Sequence, residues 1–116
     1  MDAMSVTWEQ IVARATRLPQ VEESTSYRTP SLKVAGQLMA RLRSESEGAL
    51  AVRCDLSDKE ALVSGDDPAF FTIPHYDGHG YVLVDLALVD ADELFELITD
   101  AWRLVAPAKV TKELPS

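Results

Sequence analysis

An apolar stripe near the C-terminal end of the chain constrains the fold most. The stripe starts after Asp90 or Asp92, either of which can cap a helix, and it stops at Pro107. Its members recur three or four residues apart, as in an amphipathic helix: Leu94, Phe95, Ile98, Ala101, Trp102 and Val105. So dense a stripe needs an apolar surface to cover, and we predict that this surface is a sheet. Trp102 is predicted to be buried between the helix and the sheet.

Short runs of alternating apolar and polar residues predict the strands of that sheet: 31–34, 38–43, 49–53 and 81–86. In the second run, Leu38, Ala40 and Leu42 are predicted to face the core. Met39, Arg41 and Arg43 are then predicted to face outward. An aromatic pair, Phe70 and Phe71, leads into the last run and is predicted to belong to the core rather than to a base-stacking surface.

Two further helices are predicted from their caps. Thr7 and Gln10 form a capping box for a helix that Pro19 closes. Asp55 or Ser57 caps a shorter helix over 58–63. The remaining segments are predicted to be irregular, with residues 20–30 as a loop that leads into the first strand and residues 108–116 as a frayed tail.

These elements predict an α+β fold in which an antiparallel sheet packs against helices. The predicted order is one helix, three or four strands, a helix, two strands and a helix. A chain of 116 residues with 47% hydrophobic residues has enough material for one core. We therefore predict one domain that spans residues 1–116.

The charge of the chain is unevenly distributed. The net charge is −8, yet seven basic residues face six acidic ones up to Arg53, and four face thirteen from Cys54 onward. Four basic residues are predicted to share the outer face of the sheet: Lys33, Arg41, Arg43 and Arg53. This face has two interpretations. It is either a solvated surface that pairs with Glu45 and Glu47, or a site that contacts the phosphates of DNA or RNA.

The loop that contains His75, Tyr76 and Asp77 is the second candidate site. His75, Asp77 and His79 would align as ligands of a divalent ion if the segment were extended. Gly78 and Gly80 favour a turn instead, so we predict no metal site and no cofactor. Neither His75 as a base nor Tyr76 as an acid has an identifiable orienting partner, so we predict that the protein is not an enzyme.

Cysteine content and hydropathy predict the compartment. Cys54 is the only cysteine, which excludes an internal disulfide, and it is predicted to pack at the end of a strand. The first residues carry no apolar run, and nothing approaches the roughly 20 apolar residues of a membrane helix. We expect a cytoplasmic monomer that does not enter a membrane.

Three stretches, taken in this order, resemble the MmcQ/YjbR-like family over nearly the whole chain. They are the residues Leu-Pro-Gln-Val-Glu-Glu at 18–23, Phe-Phe-Thr-Ile-Pro-His-Tyr-Asp-Gly at 70–78 and Leu-Ile-Thr-Asp-Ala-Trp-Arg-Leu-Val-Ala-Pro at 97–107. The chain departs from the family pattern at His79-Gly80, where members often carry aromatic and proline-like residues. It also departs at Asp85, where members are often basic.

The resemblance implies a fold similar to secretion-chaperone-like and frataxin-like sandwiches, with no enzyme activity. It also implies a DNA-binding role through a double-wing surface. We therefore carry two functional hypotheses. The first is weak, sequence-indifferent binding of nucleic acid through the basic sheet face. The second is a protein-interaction or adaptor role without nucleic-acid binding.

Overall fold

The computed structural model describes residues 6–26, 28–43 and 48–112 of the chain. Within these residues the helices are α1 (Trp8–Ala15), α2 (Leu56–Ser64), α3 (Ala91–Val105) and α4 (Ala108–Thr111). The strands are β1 (Val21–Ser26), β2 (Thr29–Val34), β3 (Gln37–Leu42), β4 (Ala49–Arg53), β5 (Phe70–Phe71) and β6 (Tyr81–Asp85). A 3-10 turn, Pro74–Tyr76, lies between β5 and β6.

The strands form one antiparallel sheet in the order β1-β2-β3-β4-β6-β5. Helices α1 and α3 pack against each other, and α3 contacts β3 and β4. We call the face of the sheet covered by α1 and α3 the inner face, and the opposite one the outer face. The predicted α+β fold is confirmed.

The helices begin where their caps predict. Thr7 and Gln10 form the capping box of α1, Asp55 caps α2, and Asp90 caps α3. The Asp55 carboxylate accepts the backbone N–H of Asp58 at 2.8 Å, and this hydrogen bond lowers the pKa of Asp55. Among the described residues, no helix has both the length and the apolar character that crossing a bilayer requires.

Residues 20–30 are not a loop, because Val21–Ser26 forms the edge strand β1 and β2 already begins at Thr29. Strand β1 pairs with β2 along its whole length, from Val21 opposite Val34 to Ser26 opposite Thr29. Among residues 21–25, for which burial is described, only Val21 is buried. An edge strand that buries so few of its side chains carries no apolar alternation, which is why the sequence pattern did not predict it.

The facing predicted for Leu38 and Met39 is also wrong. Leu32 pairs with Ala40 while Lys33 pairs with Leu38, so β3 carries one extra residue, Met39, at a β-bulge. Met39 and Ala40 are both fully buried in the core. The bulge turns Leu38 to the outer face, where it is half-buried.

The main core fills the space between the inner face and helices α1 and α3. Trp102 is 0% exposed in this core, and its Nε1 donates a hydrogen bond to the Pro19 carbonyl at 2.9 Å. The prediction of its burial is confirmed. Phe70 belongs to the same core, whereas Phe71 packs on the outer face.

The tail predicted to be frayed begins as helix α4. Pro107 starts this helix, and Val110 is buried in the main core, which explains why the chain stays ordered past Pro107. Residues 113–116 and residues 44–47, which include Glu45 and Glu47, lie outside the described part of the chain.

Candidate functional site

Residues 74–80 pass over the outer face of the sheet. We call them the rim segment, because they form one wall of the cleft described below. The rim segment begins with Pro74 at the first position of the 3-10 turn. A tight turn follows, with φ −59° and ψ 130° at Asp77 and φ 77° at Gly78, closed by the His79 N–H donating to the Tyr76 carbonyl at 3.0 Å. These angles are those of a type II turn, which needs glycine at its third position. The predicted turn is therefore confirmed, and the extended arrangement is excluded.

Tyr76 anchors the rim segment to the sheet. Its side chain is 8% exposed and packs on Ala51 and Leu83, which form a small second cluster on the outer face. The Tyr76 hydroxyl accepts a hydrogen bond from Nη2 of Arg41 at 2.7 Å. The guanidinium of Arg43 lies 5.5 Å from the centre of the Tyr76 ring, within the range of a cation–π contact. Two of the predicted basic residues therefore hold the loop that was predicted as a separate site.

Lys59 of α2 donates hydrogen bonds to the backbone of the rim segment. The side chain is only 7% exposed, and its Nζ donates to the carbonyls of Tyr76 at 2.5 Å and His79 at 2.9 Å. A buried ammonium is costly unless hydrogen bonds replace its lost hydration. Two backbone carbonyls of the rim segment thus replace the water that would hydrate the Lys59 ammonium. The same hydrogen bonds fix the orientation of these carbonyls.

Arg53 holds the end of the rim segment. Its Nη1 donates to the carbonyls of Cys54 at 2.8 Å and Gly80 at 3.1 Å, and its guanidinium lies 5.8 Å from the centre of the Tyr81 ring. Gly80 has no room for a side chain, because a Cβ atom there would overlap Nη1 of Arg53 and lie 2.8 Å from the Cys54 carbonyl oxygen. Position 80 is therefore restricted to glycine as long as Arg53 keeps this conformation.

A cleft of about 550 Å³ lies between the rim segment and the sheet. The sheet contributes Leu38, Arg41, Ala51 and Tyr81, and the rim segment contributes His75, Tyr76 and His79. Among the residues that the structure describes, this lining combines an apolar floor with one guanidinium, two imidazoles and two phenols, and it includes no carboxylate. Such a lining suits a planar or apolar ligand that carries negative charge.

Most of the predicted site residues line the cleft or contact the residues that line it, and two do not. Arg41, Arg43 and Arg53 contact the rim segment or the ring beside it, as described above. Lys33 is half-buried on β2 and does not line the cleft, and the exposed Asp77 does not line it either. These three arginines are half-buried and make contacts within the chain, while Glu45 and Glu47, the partners in our first interpretation, lie outside the described residues.

Two residues of the site were not predicted from the sequence. Lys59 stands between Asp58 and Glu60 in a short charged helix, a context typical of a solvated face. Leu38 reaches the cleft only because of the bulge at Met39, and no residue type in the run marks that bulge. Within the described residues, no three histidine, cysteine, aspartate or glutamate side chains lie close enough together to hold a metal ion.

Cys54 lies just beyond β4, 5% exposed, which confirms the predicted packing at the end of a strand. Burial, reinforced by the nearby carboxylates of Asp55 and Asp58, raises the pKa of its thiol from 9.0 to about 11, although Lys59 opposes the shift. The thiol is thus neutral at physiological pH and is a poor nucleophile.

Alkylation of Cys54 should therefore be slow in the folded chain. At pH 8 the rate is expected to be about 100-fold lower than in denaturant, because two pKa units change the thiolate fraction by that factor. The folded-chain rate should keep rising up to about pH 11. The free energy of unfolding should also fall as the pH rises from 9 to 11, because the thiol loses its proton at a lower pH in the unfolded chain than in the folded one. A folded-chain rate that levels off near pH 9 would contradict the raised pKa.

Comparison with other proteins gives one family and several relatives. The family model described as YjbR matches residues 16–104. Uncharacterized protein Rv2570 of Mycobacterium tuberculosis and Uncharacterized protein Mb2600 of Mycobacterium bovis are each 30% identical to this chain over 120 residues. Each alignment covers 91% of this chain and 93% of the relative.

A solved structure has the same fold. The crystal structure of Deinococcus radiodurans protein DR2400, with the family-model domain DUF419, superposes with a TM-score of 0.79 at 21% sequence identity. The superposition covers 99% of this chain and 94% of that protein. At this identity the likeness establishes the fold alone.

Proposed function

This chain belongs to the YjbR family, and from that premise we propose that it is a non-enzymatic module that binds nucleic acid weakly and without sequence preference. The binding surface in this proposal is the outer face of the sheet around the cleft. The cytoplasmic location and the monomeric state expected from the sequence stay predictions.

The observation that carries the proposal is that the described residues lining the cleft include Arg41 and no carboxylate, in a chain of net charge −8. Arg41 lines this cleft, while Arg43 and Arg53 lie beside it against aromatic rings. Positive charge therefore gathers around a lining whose described residues include no carboxylate, although the chain as a whole is acidic. Phosphate groups are repelled by the rest of the protein and attracted to this face.

The shape of the site favours a single strand over a duplex. Proteins that bind single strands combine cations for the phosphates with flat side chains on which bases stack. His75 and His79 are exposed along the rim segment and supply such flat side chains. A duplex hides its bases and would contact only the cations. We therefore expect single strands to bind more tightly than duplexes.

Neutralising Arg41 and Arg43 together should weaken the binding of a short oligonucleotide and flatten its dependence on salt. The logarithmic salt slope should fall by about one for each phosphate contact removed, or about two in the Arg41→Gln/Arg43→Gln variant. Fluorescence anisotropy at low and near-physiological salt measures this slope for single strands and duplexes of several sequences.

The matched control removes two cations from the helices instead. Arg14 and Arg103 are exposed, and the Arg14→Gln/Arg103→Gln variant has the same net charge as the first variant. It should keep the wild-type slope. Equal losses in both variants would show a response to net charge alone, and absence of wild-type binding at low salt would reject the proposal. A melting temperature for each variant checks that the rim segment still packs.

A protein-interaction role is the second candidate, and a groove between α2 and α3 favours it. The groove has a volume of about 600 Å³ and contains Leu62, Leu97 and the 45%-exposed Leu104. Three carboxylates, Asp55, Asp58 and Asp100, and two guanidiniums, Arg53 and Arg103, surround these leucines, so the lining is acidic by one charge. A basic amphipathic helix has the complementary chemistry. This role becomes the leading one if the chain binds no nucleic acid at low salt.

A further inference from the structure

We propose that the cleft is a subsite for a single nucleotide, with the phosphate near Arg41 and the base against the rim segment and the cleft floor. The inference rests on the proposed function, because it assigns one unit of the nucleic acid to a defined place. It goes further because it predicts that the cleft binds a free nucleoside monophosphate when no polymer is present.

The size of the cleft supports a small ligand. Pockets that enclose small molecules have volumes of about 300–1,000 Å³, and the cleft lies within that range at about 550 Å³. A site that contacts only the backbone of a long polymer needs a charged surface and no such concavity. The cleft is therefore more concave than phosphate contacts alone require.

The bulge at Met39 gives the cleft its apolar floor. Without it, the alternation of β3 would place Leu38 on the inner face, as the sequence pattern suggests. With it, Leu38 and Ala51 both line the cleft. Apolar side chains on the outer face attract the flat face of a base and offer nothing to a phosphate. The apolar floor thus suits the base of a nucleotide, whereas Arg41 suits its phosphate.

The hydrogen bonds of the rim segment preorganise the cleft. Arg41 donates to the Thr29 hydroxyl at 3.2 Å as well as to Tyr76, so its guanidinium is held in one position. Lys59 and Arg53 hold the carbonyls of Tyr76, His79 and Gly80. A wall fixed in advance loses little entropy when a ligand binds, which raises the affinity available to a small molecule.

Adenosine 5′-monophosphate is a direct probe of this subsite. Titrated into the isotopically labelled chain, it should shift the amide resonances of Leu38, Ala51 and His79. It should bind about tenfold more tightly than adenosine or inorganic phosphate, because the two weakly held groups are linked. Equal affinity for adenosine 5′-monophosphate and inorganic phosphate would overturn the subsite, since the base would then contribute nothing.

A carboxylate placed in the cleft should repel the phosphate. Leu38→Glu is expected to weaken the binding of adenosine 5′-monophosphate by about tenfold. Leu88→Glu adds the same charge at a side chain that is 55% exposed and outside the cleft, so it should have no effect. His79→Glu repeats the test at an exposed lining position if Leu38→Glu does not fold. Equal weakening in Leu88→Glu and the cleft variants would overturn the inference.

Failure of the inference is distinguishable from failure of the proposed function. A wild-type chain that binds the oligonucleotide but shows no cleft shifts with adenosine 5′-monophosphate overturns the subsite and leaves the proposed function standing. A chain that binds adenosine 5′-monophosphate in the cleft but no oligonucleotide supports the subsite and rejects binding to a polymer. A chain that binds neither rejects both.

Discussion

Replacing Trp102 with alanine is expected to lower the free energy of unfolding by about 3–5 kcal/mol, the usual cost of truncating a large buried aromatic residue. Trp102 is 0% exposed between α3 and the sheet, so truncation leaves a cavity that its neighbours can fill only in part. It also removes the hydrogen bond from Nε1 to the Pro19 carbonyl. Urea denaturation followed by circular dichroism measures the change.

Trp8 provides the control for this prediction. It is half-buried at the start of α1, and its Nε1 donates to the exposed Glu23 carboxylate at 3.0 Å. Trp8→Ala removes the same number of atoms from a site that solvent can fill, so its cost should be clearly smaller. Equal losses in the two variants, or an unchanged denaturation midpoint for Trp102→Ala, would contradict the packing described for the core.

Lys59→Met is expected to lower the free energy of unfolding by about 2–3 kcal/mol, because hydrogen bonds from a charged donor each contribute about 1.5–3 kcal/mol. Methionine nearly matches lysine in length but donates nothing to the carbonyls of Tyr76 and His79. The release of the buried charge offsets part of the loss. The rim segment should loosen, and hydrogen exchange at residues 74–80 should accelerate more than exchange in the main core.

Lys109→Met is the matched control, since Lys109 is exposed on α4 and the substitution removes the same charge. It should change neither stability nor exchange in the rim segment by a measurable amount. If Lys59→Met left hydrogen exchange at 74–80 as slow as in the wild type, the support that Lys59 gives to the rim segment would be refuted.

The sequence predicted those parts of the fold that depend on local chemistry. The caps at Thr7, Asp55 and Asp90 involve residues three apart, so a short window reveals them. The stripe of α3 is equally local and correctly predicted a sheet beneath it. Strand β1 was missed because its stability comes from backbone pairing with β2, and backbone groups are the same in every sequence.

The site was predicted as two separate patches because its contacts join distant residues. Arg41 and Tyr76 are 35 positions apart, and Lys59 and His79 are 20 apart. Each residue had an adequate local explanation, as an exposed strand cation, a loop residue or part of a charged helix. Only the sheet order, which places β4 between β3 and β6, brings them onto one surface.

The close fit of Gly80 against Arg53 has an evolutionary consequence. Position 80 cannot gain a side chain while Arg53 keeps this conformation, and the Cys54 carbonyl oxygen, 2.8 Å from the same Cβ position, restricts it further. A larger residue at position 80 requires that the arginine be lost or take another conformation, and that the backbone at Cys54 shift. Relatives with a larger residue at position 80 should therefore lack the arginine or hold it away from this position.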